Sequence, residues 1–340
     1  MSDSTSLLLS GFSDEAANQK TLDQQFCAFA ALGLRYLSIR FVDAGNGIKN
    51  VMGLDDAELE TVIAKLKEYG LEVSSLGSPI GKVKLLDQDD GTSTPYRPFA
   101  EYLAEDVPRA CDLANRLGTK LVRGFSFYHP RDSDLKDHLA QATDQVGKIV
   151  GVCDQHGLTY GLEVEANLVG QNGPVLADMH KSINHDRCVL IFDGGNLVMQ
   201  GYSPDEVYQQ YLAMKPGLGW IHIKDFKVPD SAKAQGKVDH VDEEAVKHFV
   251  PADEGDSSHA AIMSDIAEFL PTLHQRMTDR GVPGVFADME PHVKGGGQFG
   301  GFSGPDGFGV ALRAFCRVCD AAGVGYRLRD FADIQQDRGF

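Results

Sequence analysis

Residues 160–170 read Tyr160-Gly-Leu-Glu-Val-Glu-Ala-Asn-Leu-Val-Gly170, a short apolar run that ends in carboxylates. Alternate side chains of a strand point to opposite faces, so Glu163 and Glu165, two apart, share one face. A carboxylate where a buried strand ends is costly without a partner. A metal ion, a proton-transfer role or a nearby Arg or Lys would meet that cost. Three later segments end the same way: Val189-Leu-Ile-Phe-Asp193, Gly219-Trp-Ile-His222 and Val285-Phe-Ala-Asp-Met-Glu290. Glu, Asp, His and Glu at four successive strand ends read as one ligand set.

Outward from that run the chain alternates. Strands are predicted over 7–10, 36–41, 71–76, 120–125, 160–165, 188–193, 219–223 and 285–289. Apolar residues at helical spacing predict helices over 21–32, 55–69, 99–117, 135–156, within 174–182, and over 204–214, 259–280 and 308–322. Several of these helices are closed by a glycine: Gly33, Gly70, Gly118, Gly157 and Gly281. A polar insertion, 227–256, follows the seventh strand, with a short helical piece near 243–249. Residues 323–340 form a C-terminal extension.

Eight βα units fit one closed parallel barrel better than an open doubly wound sheet. The expected fold is a single (β/α)8 TIM barrel spanning 1–340. No Gly-x-Gly-x-x-Gly follows the first strand, which argues against a dinucleotide site. All strand carboxyl ends of such a barrel face one mouth. That geometry gathers Glu163, Asp193, His222 and Glu290 from strands five, six, seven and eight.

Composition narrows the classes. At 340 residues and 42% hydrophobic, the chain can bury a sizeable core. No apolar run approaches the roughly 18 residues of a membrane span. Met-Ser-Asp-Ser-Thr-Ser carries no basic region ahead of Leu7-Leu-Leu9, so no signal peptide and a cytoplasmic location are expected. The six cysteines are scattered, as free thiols would be. A formal net charge of −17 repels polyanions, so neither nucleic acid nor a membrane is an expected partner.

Two Glu, one Asp and one His make a mostly oxygen site with one imidazole, which suits one Mn2+, Mg2+, Co2+ or Zn2+ ion. Four protein ligands leave positions for a substrate with adjacent oxygens. Such an ion polarises a carbonyl and stabilises an enediolate. Glu163 and Glu290, on opposite sides of the arc, are expected to move the carbon-bound proton as well as bind metal. A buried charge network holding the mouth together is the plainer alternative.

The segments Leu-Glu163-Val-Glu-Ala-Asn-Leu-Val-Gly, Phe-Asp193-Gly-Gly-Asn, Ile-His222-Ile-Lys-Asp225 and Met-Glu290-Pro-His-Val-Lys-Gly-Gly resemble the xylose-isomerase-like barrel family of sugar and sugar-phosphate isomerases and epimerases. Met289 to Gly297 is especially similar to the ketohexose 3-epimerases, and Glu254-Gly-Asp256 is similar to a segment before the penultimate helix of the family. The resemblance implies that the four matching positions bind one divalent metal and that the two Glu shuttle a proton through a cis-enediolate. It implies a small sugar or keto-polyol substrate, phosphorylated or not. A homo-oligomer, dimer or tetramer, stays open. Asn196 stands where the epimerases carry a substrate-holding His. Inosose-dehydratase-like lyases share fold and metal and form the second reading. Abasic-site endonucleases and a non-catalytic sugar-binding barrel rank below them.

Around the mouth, Arg40 and Arg123 end strands two and four and could bind a substrate oxygen, carboxylate or phosphate. Lys224 shares the His222 face and is expected to reach the substrate; Asp225 is expected to orient His222 or another ligand. Glu165, Asn196, His292 and Lys294 complete the expected substrate contacts, Lys294 leading into a Gly-rich loop through Gly301. Asp14, Glu15 and His129 could line the pocket. Trp220 reads as core, and Cys316-x-x-Cys319 as two buried thiols.

Overall fold

The structure is a computed structural model that describes residues 4–229, 236–238, 241, 248–293 and 303–339. Eight parallel strands carry it: β1 Ser6–Gly11, β2 Tyr36–Ile39, β3 Glu72–Ile80, β4 Leu121–Gly124, β5 Thr159–Glu163, β6 Cys188–Asp193, β7 Leu218–Ile223 and β8 Phe286–Met289. They pair in the order β2-β3-β4-β5-β6-β7-β8-β1. A single parallel bridge, Phe12 to Ser38, joins β1 to β2 and closes the ring. Between the strands run α1 Leu22–Ala31, α2 Asp56–Tyr69, α3 Phe99–Arg116, α4 Leu139–Gln155, α5 Gly173–Ile183, α6 Pro204–Met214, α7 His259–Thr278 and α8 Gly304–Ala322. The predicted barrel is the observed architecture. No helix among the described residues is long and apolar enough to cross a membrane.

Local chemistry sets these elements. Asp55 and Glu58 form a capping box at the start of α2, and Gly70 ends it with φ of 62°. Ser203 and Glu206 do the same for α6, which carries Pro204 in its first turn. The strands are buried along nearly their whole length, as both-face burial in a barrel requires. Trp220, fully buried on β7, occupies the barrel at Gly161 of β5; a Cβ on Gly161 would lie 2.0 Å from the indole. That glycine is what lets the indole in.

Three features depart from the expected elements. The second parallel strand stops at Ile39, and Phe41–Asp43 turns into an antiparallel hairpin with Ile48–Asn50. A short helix, Gly194–Met199, starts directly at Asp193, whose side chain caps it. In the insertion, Phe249–Val250 pairs antiparallel with Asp225–Phe226; most of the expected helical piece near 243–249 lies outside the described residues.

The C-terminal extension closes the floor of the barrel. Gly325–Tyr326 pairs with Ser6 and Leu7 on the side of β1 away from β8. Arg329, 9% exposed, donates from its guanidinium to the carbonyls of Leu34 and Gly70 and to Asp337. Its backbone N–H donates to the Gly33 carbonyl at 2.8 Å.

Candidate metal centre

Glu163, Asp193 and His222 belong to the last residues of β5, β6 and β7, and Glu290 follows β8 directly. Strand periodicity turns each side chain toward the mouth axis. One ligand atom from each lies within 4.8 Å of the others, and all four residues are buried. His222 Nδ1 faces the cluster: Glu163 Oε1 is 3.1 Å away, Glu290 Oε2 3.7 Å and Asp193 Oδ2 3.9 Å. Its other ring nitrogen, Nε2, is buried without a hydrogen-bond partner.

Three buried carboxylates repel one another, and cations at the rim compensate. Lys224 Nζ lies 2.9 Å from Asp193 Oδ2 and 3.2 Å from Glu290 Oε2. It threads past Gly195, where a Cβ would come within 2.7 Å of the lysine stem. Arg40 holds Glu290 Oε1 at 2.6 Å and also reaches Asp14 and Glu15; Arg123 lies 3.4 Å from Glu163 Oε2. The Phe12 ring carries Arg40 at 4.4 Å and Arg123 at 4.8 Å, and meets His222 edge-on at 5.2 Å.

Burial raises every carboxylate of the set, and the neighbours then separate them. Burial pushes Asp193 up to about 6 despite Lys224, with Glu290 and Glu163 adding to the rise. For Glu290, burial is outweighed by Lys224 and Arg40, which hold it well below the usual carboxylate range. For Glu163, burial is outweighed by His222 and Arg123, so it too is lowered. Burial pulls His222 down, but Glu163 and Glu290 reverse that and leave it raised.

The other expected contacts divide. Arg40, Arg123 and Lys224 join the cluster. Asn196 is buried nearby; its backbone N–H donates to Asp193 Oδ1, its amide donates to the Val164 carbonyl, and its own Oδ1 has no partner. Glu165 pairs with Lys82 at 3.2 Å. His292 is tied to Glu15, its Nδ1 2.9 Å from Oε1 and its backbone N–H donating to Oε2 at 3.0 Å. Lys294 and the Gly-rich loop lie outside the described residues. Asp225 is a correction. Its carboxylate accepts from the backbone N–H groups of Phe226, Gly255 and Ser257 and lies 3.4 Å from His259. It pins the turn before α7 instead of orienting His222, because an odd offset of three puts the two on opposite faces of the strand.

Two residues of this region carried no sequence-based role. Phe12 is the platform just described; an aromatic directly after an apolar first strand was its one signal. Asp288 is fully buried in the barrel, paired in register with both His222 and Ser10, and accepts from Ser74 at 3.3 Å and Ser75 at 3.5 Å. Burial raises it, with His222 and the Ser10 and Ser74 hydroxyls opposing.

A barrel whose mouth gathers three carboxylates and one imidazole defines a protein able to hold a divalent cation on strands five to eight. The chain belongs to the xylose isomerase-like TIM barrel family, whose model matches residues 26–294. It is similar in fold to a xylose isomerase-like TIM barrel protein from Mycobacterium smegmatis in complex with magnesium, at 16% identity over 95% of this chain and 98% of that one, TM-score 0.61. It is also similar to a probable 3-DHS dehydratase from Bacillus anthracis, at 15% identity, 91% and 99% coverage and TM-score 0.60. A D-allulose 3-epimerase from Methylomonas sp. in complex with D-allulose matches at 14% identity, 92% and 97% coverage and TM-score 0.59. No curated protein matches the chain by sequence.

Proposed function

We propose that this chain is a divalent-metal-dependent isomerase or epimerase of a sugar or keto-polyol, with Glu163, Asp193, His222 and Glu290 holding one ion. The observation that carries this reading is the convergence of four buried ligand atoms, from four consecutive strand ends, within 4.8 Å of one another. The donor set suits Mn2+, Mg2+, Co2+ or Zn2+. When bound, such an ion polarises a substrate carbonyl and eases negative charge on its oxygens.

The chain's own residues supply the proton traffic. Glu163 and Glu290 stand with two strands between them along the arc, so they reach a substrate from different sides. One takes the proton from the carbon beside the carbonyl and the other returns one. Arg123 and Arg40 keep these two carboxylates charged and fix their rotamers. Lys224 donates hydrogen bonds toward the substrate oxygens at the cluster. The epimerase that binds D-allulose, among the similar folds, supports this reaction class.

A second reading, dehydration of a keto-polyol, is favoured by Lys224. An ammonium between Asp193 and Glu290 can protonate a departing β-hydroxyl, and one similar fold is a probable dehydratase. One experiment separates the two. Metal-loaded protein is incubated with a panel of ketoses and keto-polyols in deuterated water. Isomerisation leaves the formula unchanged apart from one incorporated deuterium; dehydration removes one water. Protein that binds metal yet gives neither outcome across the panel would sink both.

A further inference from the structure

A cavity of about 520 Å³ opens on the same mouth, between the loops that leave β3, β4 and β5. Its size falls inside the roughly 300–1,000 Å³ of small-molecule sites. None of the four cluster residues lines it. Asp90 does, at 4% exposure. One oxygen, Oδ1, accepts from the backbone N–H and hydroxyl of Thr92 at 2.8 and 2.9 Å and has Lys84 at 3.5 Å. The other, Oδ2, is buried with no hydrogen-bond partner. A buried acceptor left unpaired is costly, and because Asp90 lines the cavity, a turn of its carboxylate brings that oxygen to a ligand donor and relieves the cost.

The remaining lining names the donor's chemistry. His129, Arg131, Asp132 and Gln171 share the wall with Asn167, whose amide is paired with the Val241 backbone. Donors and acceptors are mixed, which suits hydroxyl groups because each is both. Among the lining residues Arg131 is the one permanent cation, against the carboxylates of Asp90, Asp132 and Asp134. A phosphate there would meet more carboxylate than guanidinium. The cavity is also tied to the metal cluster: Asn167 is four residues beyond Glu163, at most about 14 Å of extended chain. Gln200 donates to the carbonyls of both Gln171 and Asn196, linking the cavity wall to the helix that Asp193 caps.

We infer that this cavity is the subsite for a second, non-phosphorylated polyhydroxylated unit of an extended substrate. The substrate class is then a glycosylated ketose or keto-polyol, in place of a free or phosphorylated monosaccharide. The inference rests on the catalytic reading above for the position of the reacting carbon. Its own claim is the second unit.

The test compares equilibrium binding of D-fructose, D-fructose 6-phosphate, lactulose and isomaltulose to the Mn2+-loaded protein. Lactulose or isomaltulose is expected to bind at least tenfold more tightly than D-fructose, with the phosphate ester no tighter than D-fructose. Asp90→Ala and the rim variant Arg131→Ala should each cut that advantage several-fold, and together abolish it. Arg131 is exposed, so its variant keeps the test open should Asp90→Ala misfold. Equal affinities for mono- and disaccharide, tightest binding of the phosphate ester, no binding of any sugar, or a preference that survives both substitutions overturns the subsite. A Mn2+ titration of the same samples keeps the two readings apart. Absent Mn2+ binding counts against the metal centre, while the disaccharide-to-fructose ratio reports on the cavity alone.

Discussion

Glu163 and Glu290 are buried alike but held differently, one between His222 and Arg123, the other between Lys224 and Arg40. Those cations keep both carboxylates ionised, the form a proton acceptor needs. Glu163→Gln and Glu290→Gln keep shape and lose basicity. Each should lower turnover by about 10²–10⁴-fold, the usual worth of a positioned acid or base. Circular dichroism should stay unchanged. Steady-state rates on the substrate found above check this, and a near-normal rate in either variant removes that residue from the chemistry. The four clustered residues were legible as a set, because a charged or imidazole side chain ends an apolar run at four successive strands. Asp225 misled because adjacency to His222 in sequence is not adjacency in space: the strand's alternation sends it to the turn at Gly255 and Ser257.

At the scale of elements, the seam between β1 and β2 has one bridge, and the C-terminal extension supports it from below. Arg329 is the tie, joining the Leu34 and Gly70 carbonyls, which follow α1 and α2, to Asp337. Arg329 is buried but Asp337 is partly exposed, so the loss is chiefly that of the hydrogen bonds to the two carbonyls, about 1–3 kcal/mol. Arg329→Ala should therefore shift the urea midpoint down by a stability loss of that order, with Mn2+ affinity intact because the tie lies at the floor. An unchanged midpoint would show that the extension is not needed for closure. The eight strands and eight helices were readable from their apolar period, which closing glycines reinforced at five of the helices. The hairpin from Phe41 to Asn50 was not, since three-residue strands carry no period to read. Nor was the helix at Gly194: two glycines read as a breaker, and only the Asp193 cap makes the turn favourable. The cavity at Asp90 is built from loops whose approach depends on tertiary packing, so no local pattern announced it.

For the molecule as a whole, a cation bound only by the folded state must raise its stability, by about 2.7 kcal/mol at a hundredfold excess over Kd. With an unfolding entropy of about 2 cal/mol/K per residue over 340 residues, that is a rise in Tm of about 4 °C. The sign with pH follows from the ligands. Asp193 titrates at about 6 and His222 is raised above its ordinary value, so at acid pH protons occupy two of the four donors. Each proton displaced costs the ion about tenfold in affinity per pH unit below the pKa concerned. In the metal-free chain Asp193 acts in the opposite sense. Its folded pKa is above its ordinary one, so the folded state binds the extra proton, and its contribution falls as pH rises from about 4 to about 6. The two effects are separable: the apo form loses support at Asp193 as pH rises, and the difference made by added Mn2+ reads only the ion's gain of its ligand. Thermal unfolding with and without a fixed Mn2+ concentration should show a shift of several degrees at about pH 7.5 that shrinks sharply at about pH 5. A shift equal at both pH values would place the ion on groups other than Asp193 and His222. No shift at either would leave three buried carboxylates with Lys224, Arg40 and Arg123 as their permanent counter-ions.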